Sequence, residues 1–112
     1  MISKLNIIIN GNEYIINLEN NDTAHELINI LPEKFTMNDL NNNEKYIYLD
    51  ESITSNPKAL QTINKGDVML YGNNCLVIFY KSFNTNYSYT KIGTIDNLED
   101  FDNGNINVTI IK

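Results

Sequence analysis

The chain has 112 residues and a formal net charge of −6 at pH 7. This length predicts one domain, residues 1–112, that is large enough to bury its own core. All eight basic residues are lysine, so the chain has no guanidinium fork for phosphates, carboxylates or guanine edges. The negative charge disfavours nucleic acid and anionic membranes as partners.

The cysteine count and the N-terminal segment predict a cytoplasmic protein. A single cysteine cannot form an internal disulfide. The opening "MISKLNIIING" has neither an apolar signal core nor a cleavage site. No stretch approaches the ~20 apolar residues that a membrane-spanning helix requires.

The segment "KLNIIINGNEYIINL" predicts a β-hairpin. Asn10-Gly11 supplies the two positive-φ residues of a tight type I′ turn. Folding at this turn pairs Ile7 with Tyr14 and Leu5 with Ile16, and it places all four on one face.

The next segment, "NDTAHELINILP", predicts one short amphipathic helix on a sheet or at the end of a barrel. Thr23 and Glu26 have the spacing of a capping box, and Asp22 is an alternative cap. Apolar residues follow at helical spacing, and Pro32 ends the pattern.

The remainder predicts strands joined by turns. "EKYIYL" alternates, with Tyr46 and Tyr48 on one face and Lys45 on the other. The strand "DVMLY" is flanked by turns at "NKGD" and "GNN". The next strand, "CLVIFYK", is apolar on both faces, which indicates that both of its sides are covered. Apolar and polar residues alternate again in "YSYTKIGTI" and "INVTII", which predicts two more strands. Between them, "NLEDF" is at most a helical turn, and Asn103-Gly104 predicts another turn. The fold class is therefore mainly β with one or two short helices, in a small barrel or sandwich.

Several motifs in the same order carry a family resemblance. The motifs "NEKYIYL", "INKGDVMLYGNNCLVIFYKSF" and "YSYTKIGTID", together with "TMND" at Thr36–Asp39, closely resemble the small bacterial cyclophilin-like domain family. The likeness spans nearly the whole chain. It implies a closed eight-stranded β-barrel with one or more flanking helices.

The catalytic residues of true cyclophilins have no equivalents in this chain. In that family the working groups lie in an "FHR" stretch and a "QFF" strand, with a tryptophan and a histidine further on. The arginine favours a rotatable prolyl amide, and only such a contact lowers a barrier of ~20 kcal/mol. Here arginine and tryptophan are absent, "CLVIF" offers no glutamine, and Tyr89 falls nearest the histidine position. We therefore expect no catalytic residues of the cyclophilin type.

A cluster of aromatic residues is the candidate binding site. Tyr46 and Tyr48 share one strand face, Tyr87 and Tyr89 share another, and Lys81 lies nearby in sequence. Tyrosine offers flat apolar area with a hydroxyl group, which suits a groove for an extended peptide or a small planar molecule. The alternative is that these tyrosines only cover a half-buried sheet.

Other candidate residues have structural explanations. Cys75 and His25 are far apart in the predicted fold, so Cys75 is expected to be a packed core thiol. The run from Asp100 to Asn105 lacks the glycine and glutamate spacing of a calcium loop. Asp67 is expected to accept hydrogen bonds from its own turn. No metal and no cofactor is predicted.

The function predicted from sequence is a non-catalytic binding module for an extended peptide or a small molecule. An enzyme that uses the same groove is one alternative, either an isomerase or a catalyst with tyrosine and lysine as acid and base. An accessory subunit that binds another protein through its aromatic face is a second alternative. The sequence leaves the oligomeric state open.

Overall fold

The computed structural model describes residues 3–111, which form eleven strands and one helix. In chain order these elements are β1 (Lys4–Ile9), β2 (Asn12–Leu18), α1 (Asp22–Ile30), β3 (Lys34–Leu40), β4 (Glu44–Tyr48), β5 (Lys58–Ala59), β6 (Thr62–Ile63), β7 (Asp67–Tyr71), β8 (Cys75–Phe79), β9 (Phe83–Asn84), β10 (Ser88–Ile95) and β11 (Ile106–Ile111).

Eight antiparallel strands close into a barrel, as predicted. Their order is β2-β1-β11-β3-β4-β8-β7-β10, and β10 pairs with β2 to complete the ring. The short β5 adds to the start of β10, while β6 and β9 form a separate two-stranded ribbon. The single helix found in residues 3–111 has nine residues, and no helix in this range is long and apolar enough to cross a membrane.

The first hairpin has the predicted turn and register. Asn10 and Gly11 have φ values of 49° and 90°, the combination that a type I′ turn requires. Leu5 pairs with Ile16 and Ile7 pairs with Tyr14. The turn chemistry and the apolar alternation therefore specify the same register.

The helix begins two residues earlier than the capping box predicted, and one residue earlier than the alternative cap at Asp22 predicted. Asn21 is the N-cap, and its Oδ1 accepts the backbone N–H of Ala24 at 2.8 Å. The predicted caps were wrong because Thr23 and Glu26 are engaged elsewhere. The Thr23 hydroxyl donates to the Thr54 carbonyl at 2.6 Å, and the Glu26 carboxylate accepts the Thr54 N–H at 3.0 Å.

Strand β8 separates two apolar clusters, as its two-sided apolar pattern predicted. Leu76 and Ile78 lie in the barrel interior, which the apolar face of α1 helps to fill. Cys75, Val77 and Phe79 lie on the outer face of the same strand, in a second cluster under the β6–β9 ribbon. This outer cluster supports the surface on which the aromatic residues lie.

Candidate ligand-binding site

Strand β4 places three side chains in a row on the outer face of the barrel. Because side chains alternate along a strand, Glu44, Tyr46 and Tyr48 point outward, while Lys45 points into the barrel. The rings of Tyr46 and Tyr48 meet edge to face, with centroids 5.9 Å apart. Tyr46 also packs against the outer apolar cluster.

A second group of tyrosines comes from β7 and β10. Tyr71 ends β7, and its ring centroid lies 6.0 Å from that of Tyr87 and 5.6 Å from that of Tyr89. Tyr89 in turn contacts Phe79 edge to face at 5.4 Å. This chain of aromatic contacts connects the surface to the buried outer cluster.

The two groups converge in one concavity of about 720 Å³. Five of the seven tyrosines line it, including all four that the sequence predicted. The volume lies within the range of small-molecule sites. The lining residues are Leu40, Asn41, Asn43, Glu44, Tyr46, Tyr48, Tyr71, Cys75, Val77, Phe83, Asn84, Thr85, Asn86, Tyr87 and Tyr89.

The tyrosines divide into a buried base and an exposed rim. Tyr89 is 5% exposed, whereas Tyr48, Tyr71 and Tyr87 are 65%, 46% and 63% exposed. Packing in the outer apolar cluster therefore accounts for Tyr89, whereas the other three rings keep much of their surface in contact with solvent. We refer to Tyr48, Tyr71 and Tyr87 as the tyrosine rim.

Glu44 is an acidic group inside this aromatic concavity. Burial raises the pKa of its carboxyl to about 7, and the negative charge of Asp39 adds to the effect. The two ion pairs found in residues 3–111 are Lys45–Asp39 and Lys65–Asp100, so neither neutralises Glu44. A carboxyl group with this pKa can exchange a proton near neutral pH.

Two neighbours of Glu44, Cys75 and Tyr89, also have raised pKa values, so their neutral forms are favoured. Burial, followed by the Glu44 charge, raises the pKa of the Cys75 thiol. The same two causes raise the pKa of Tyr89 to about 12. Cys75 is therefore a packed thiol rather than a reactive thiolate. His25 lies on α1 and does not line the concavity.

No lysine is among the described residues that line the tyrosine concavity. Lys81 is exposed and is not among the residues that line the concavity, and its charge helps to lower the pKa of Asp100 after the larger effect of Lys65. Lys45 lies on the opposite face of β4 and is fully buried. None of the described residues that line the concavity is a lysine or histidine.

Lys45 forms a buried polar cluster at one end of the barrel. Its ammonium donates to Asp39 Oδ1 at 3.0 Å and to the carbonyls of Asp102 and Gly104 at 2.6 and 2.5 Å. The Tyr80 hydroxyl donates to the same Asp39 oxygen at 2.6 Å. A buried ammonium needs such a complete set of acceptors.

Two further acidic residues from the sequence analysis, Asp67 and Asp102, have structural roles. Asp67 is buried, and it accepts the Asn64 N–H at 2.8 Å, as the turn predicted. Asp102 accepts the Gly104 N–H at 2.8 Å within the turn predicted at Asn103-Gly104. Within residues 3–111, no group of three or more His, Cys, Asp or Glu side chains could hold a metal ion.

Among the lining residues that sequence reasoning missed, Glu44 and Tyr71 contribute most to the chemistry of the site. Glu44 is two positions before Tyr46 and four before Tyr48, so the alternation of β4 already placed it on the tyrosine face. Tyr71 could be assigned only after the strand order was known, because β7 lies between β8 and β10 in the barrel.

Fold and site together define a class of protein: a closed antiparallel barrel that carries a tyrosine-lined concavity on its outer surface. The chain belongs to the cyclophilin-like family, whose family model matches residues 7–111. No curated protein and no solved structure gives a significant match to the chain.

Proposed function

We propose that the protein is a binding module that holds a small organic molecule in the tyrosine-lined concavity. The observation that carries this proposal is the tyrosine rim, whose three rings are 46–65% exposed around a volume of about 720 Å³. Exposed aromatic surface that is grouped in a concave site is typical of ligand binding.

The contacts between aromatic rings favour a site that is formed before the ligand arrives. Tyr71 contacts both Tyr87 and the buried Tyr89, and Tyr89 rests on Phe79. Rings that are already positioned lose little conformational freedom on binding, which improves affinity. Asn41, Asn43, Asn84 and Asn86 border the same concavity and offer both hydrogen-bond donors and acceptors.

A second concavity, of about 750 Å³, is a weaker candidate. It lies beside the first hairpin and includes Lys4, Glu13 and Asp96 in its lining. Tyr14 is the single aromatic residue among its described lining residues, and its hydroxyl is already bound to Glu99 at 2.6 Å. This surface therefore presents one tyrosine to a ligand, whereas the tyrosine-lined concavity presents five.

The proposal assigns no isomerase activity to the site. The sequence contains no arginine, so it lacks the donor that stabilises a rotated prolyl amide in cyclophilins. Stabilisation of the transition state over the ground state is what separates catalysis from binding. In a prolyl-peptide assay we expect no rate above that of buffer.

A fragment screen by NMR tests the binding proposal. We expect hits to shift the signals of the concavity residues, and Tyr48→Ala or Tyr87→Ala to weaken the same hits roughly tenfold. Both side chains are exposed, so these variants should keep the wild-type thermal stability to within a few degrees.

Ile15→Ala is the matched control, because Ile15 is 46% exposed and lies outside this concavity. It should leave the affinities unchanged. A screen in which every hit binds with the same affinity to wild type, Tyr48→Ala and Tyr87→Ala would contradict the assignment of this concavity as the site.

A further inference from the structure

The charged side chain that lines the concavity is negative. Glu44 is the single carboxylate among its described lining residues, and no lysine or histidine lines it. The Lys45 ammonium, the nearest lysine in sequence, is directed into the barrel and is shared by Asp39, Asp102 and Gly104. The carboxylate of Glu44 is therefore free to pair with a ligand.

The tyrosine rings add to this negative character. The face of an aromatic ring attracts cations, with a strength of about 0.5–2 kcal/mol for each well-placed contact. Tyr48, Tyr71 and Tyr87 make edge-to-face contacts and yet stay 46–65% exposed, so ring surface remains open to a ligand. Several ring faces around one carboxylate form the kind of site that binds organic ammonium groups.

We propose that the occupant of the tyrosine-lined concavity is a small organic molecule that carries an ammonium group, with the cationic centre held by the Glu44 carboxylate and the surrounding tyrosine rings. This inference rests on the proposed binding function and specifies the class of ligand. It separates cationic ligands from neutral and anionic ones, which the proposed binding function by itself does not distinguish.

The protonation behaviour of the site is consistent with a cationic ligand. Burial raises the pKa values of Glu44, Cys75 and Tyr89, and charge repulsion from a nearby carboxylate adds to the shift of each. All three shifts disfavour further negative charge in the concavity. A bound cation would relieve this repulsion and lower the pKa of Glu44.

A pair of probes with the same shape tests the charge preference. Choline and its uncharged carbon isostere 3,3-dimethylbutan-1-ol differ only in the quaternary nitrogen, and benzyltrimethylammonium serves as a larger cation. In NMR titrations of the whole chain we expect both cations to shift the concavity signals. Choline should bind about tenfold more tightly than its isostere.

Glu44→Gln tests the role of the carboxylate, because glutamine keeps the shape and removes the charge. We expect roughly three- to fivefold weaker binding of both cations and no change for the neutral isostere. Glu33→Gln is the control, since Glu33 is exposed and lies outside the concavity. This control should bind all three probes like wild type.

The pH profile gives a second readout. Quaternary ammonium groups do not titrate, so the affinity of choline should rise as the pH increases through about 7 and Glu44 ionises. The titratable groups around Glu44 are Asp39 from β3, Cys75 from β8 and Tyr89 from β10. Tyr71 and Tyr87 line the same concavity. Glu44→Gln should abolish the rise.

The outcomes separate this inference from the proposed function. Equal or tighter binding of the neutral isostere, or cation binding that Glu44→Gln leaves intact, overturns the cationic ligand while the binding site stands. Failure of both cations to bind also overturns it. Failure of every fragment in the wider screen removes the proposed function as well.

Discussion

At the scale of single residues, the Lys45 ammonium holds together the buried polar cluster at one end of the barrel. Burial alone would raise the pKa of Asp39. Hydrogen bonds from Tyr80, Lys45 and the Asn42 amide outweigh burial and hold that pKa below its usual value. The Lys45 ammonium also lies 4.9 Å from the centroid of the Tyr80 ring. Loss of the lysine would leave the largely buried Asp39 carboxylate without its counter-ion.

We therefore predict that Lys45→Met lowers the free energy of unfolding by roughly 3 kcal/mol. The methionine fills similar space but leaves the Asp102 and Gly104 carbonyls without their donor. Urea unfolding at neutral pH measures the change. Lys65→Met removes the exposed pair with Asp100 and should cost much less stability, because solvent screens an exposed ion pair. Equal losses in the two variants would rule out the buried cluster as a stabilising element.

Glu44 makes the stability of the fold depend on pH. Its folded pKa of about 7 exceeds the ordinary value of 4.5, so the native state keeps a proton that the unfolded chain releases. Stability from this group is fully present below the ordinary pKa, and it is lost as the pH rises through about 7.

We predict that the stability advantage of Glu44→Gln over wild type increases between pH 5 and pH 8. Because Glu44 is partly exposed, solvent screening limits the increase to the order of 1 kcal/mol. Urea unfolding of both proteins at the two pH values measures it, with Glu33→Gln as the control. An advantage that stays constant, or that shrinks toward pH 8, would show that the carboxyl has no raised pKa.

At the scale of elements, asparagine has two different roles at the turns. In the first hairpin it precedes glycine, and this pair predicted both the turn and the register. In the β3–β4 turn, Asn41 and Asn42 both have positive φ, at 56° and 57°, and asparagine tolerates this conformation better than most residues. No glycine marks this turn, so the sequence did not reveal β3 as a separate strand.

Gly93 is the position where the barrel closes. The register of β10 shifts here, with Lys91 opposite Met69 and Gly93 opposite Val68, so Ile92 is the extra residue of a bulge. Gly93 also pairs with Leu18 of β2. A Cβ atom on Gly93 would lie 2.5 Å from the Asn17 carbonyl oxygen and 2.9 Å from Ile16 Cγ2.

We predict that Gly93→Ala destabilises the protein by about 1–3 kcal/mol, because β2 must move to make room for the methyl group. Thermal and urea unfolding measure the loss. Gly72→Asn is the control: Gly72 has open space around it and a φ of +62°, which asparagine can adopt at little cost. An alanine variant as stable as wild type would mean that β2 and β10 do not approach this closely.

At the scale of the whole molecule, local patterns predicted most strands but could not assemble the site. The two-sided apolar pattern of "CLVIF" correctly predicted two layers of side chains around β8. Tyr46 and Tyr48 are about 40 residues from Tyr87 and Tyr89 in the chain. Their meeting depends on the order β4-β8-β7-β10, which non-local pairing decides.

The same limit explains the misplaced lysine and the missed carboxyl. Sequence proximity grouped Lys81 with the tyrosines. In the structure the preceding residue, Tyr80, is buried in the barrel interior, and Lys81 is exposed outside the concavity. Glu44, by contrast, was on the correct face of β4 but showed no local sign of burial. Tyr89, three strands away in the barrel order, lines the same concavity as Glu44. No periodicity in the sequence encodes this proximity.

The placement of the tyrosines gives this molecule a built-in optical probe. The chain contains no tryptophan, and five of its seven tyrosines line one concavity. Ultraviolet emission from the native protein therefore originates mostly from the rings that a guest molecule would touch. Quenching or enhancement of that emission reports occupancy directly, without a dye, a label or an engineered chromophore.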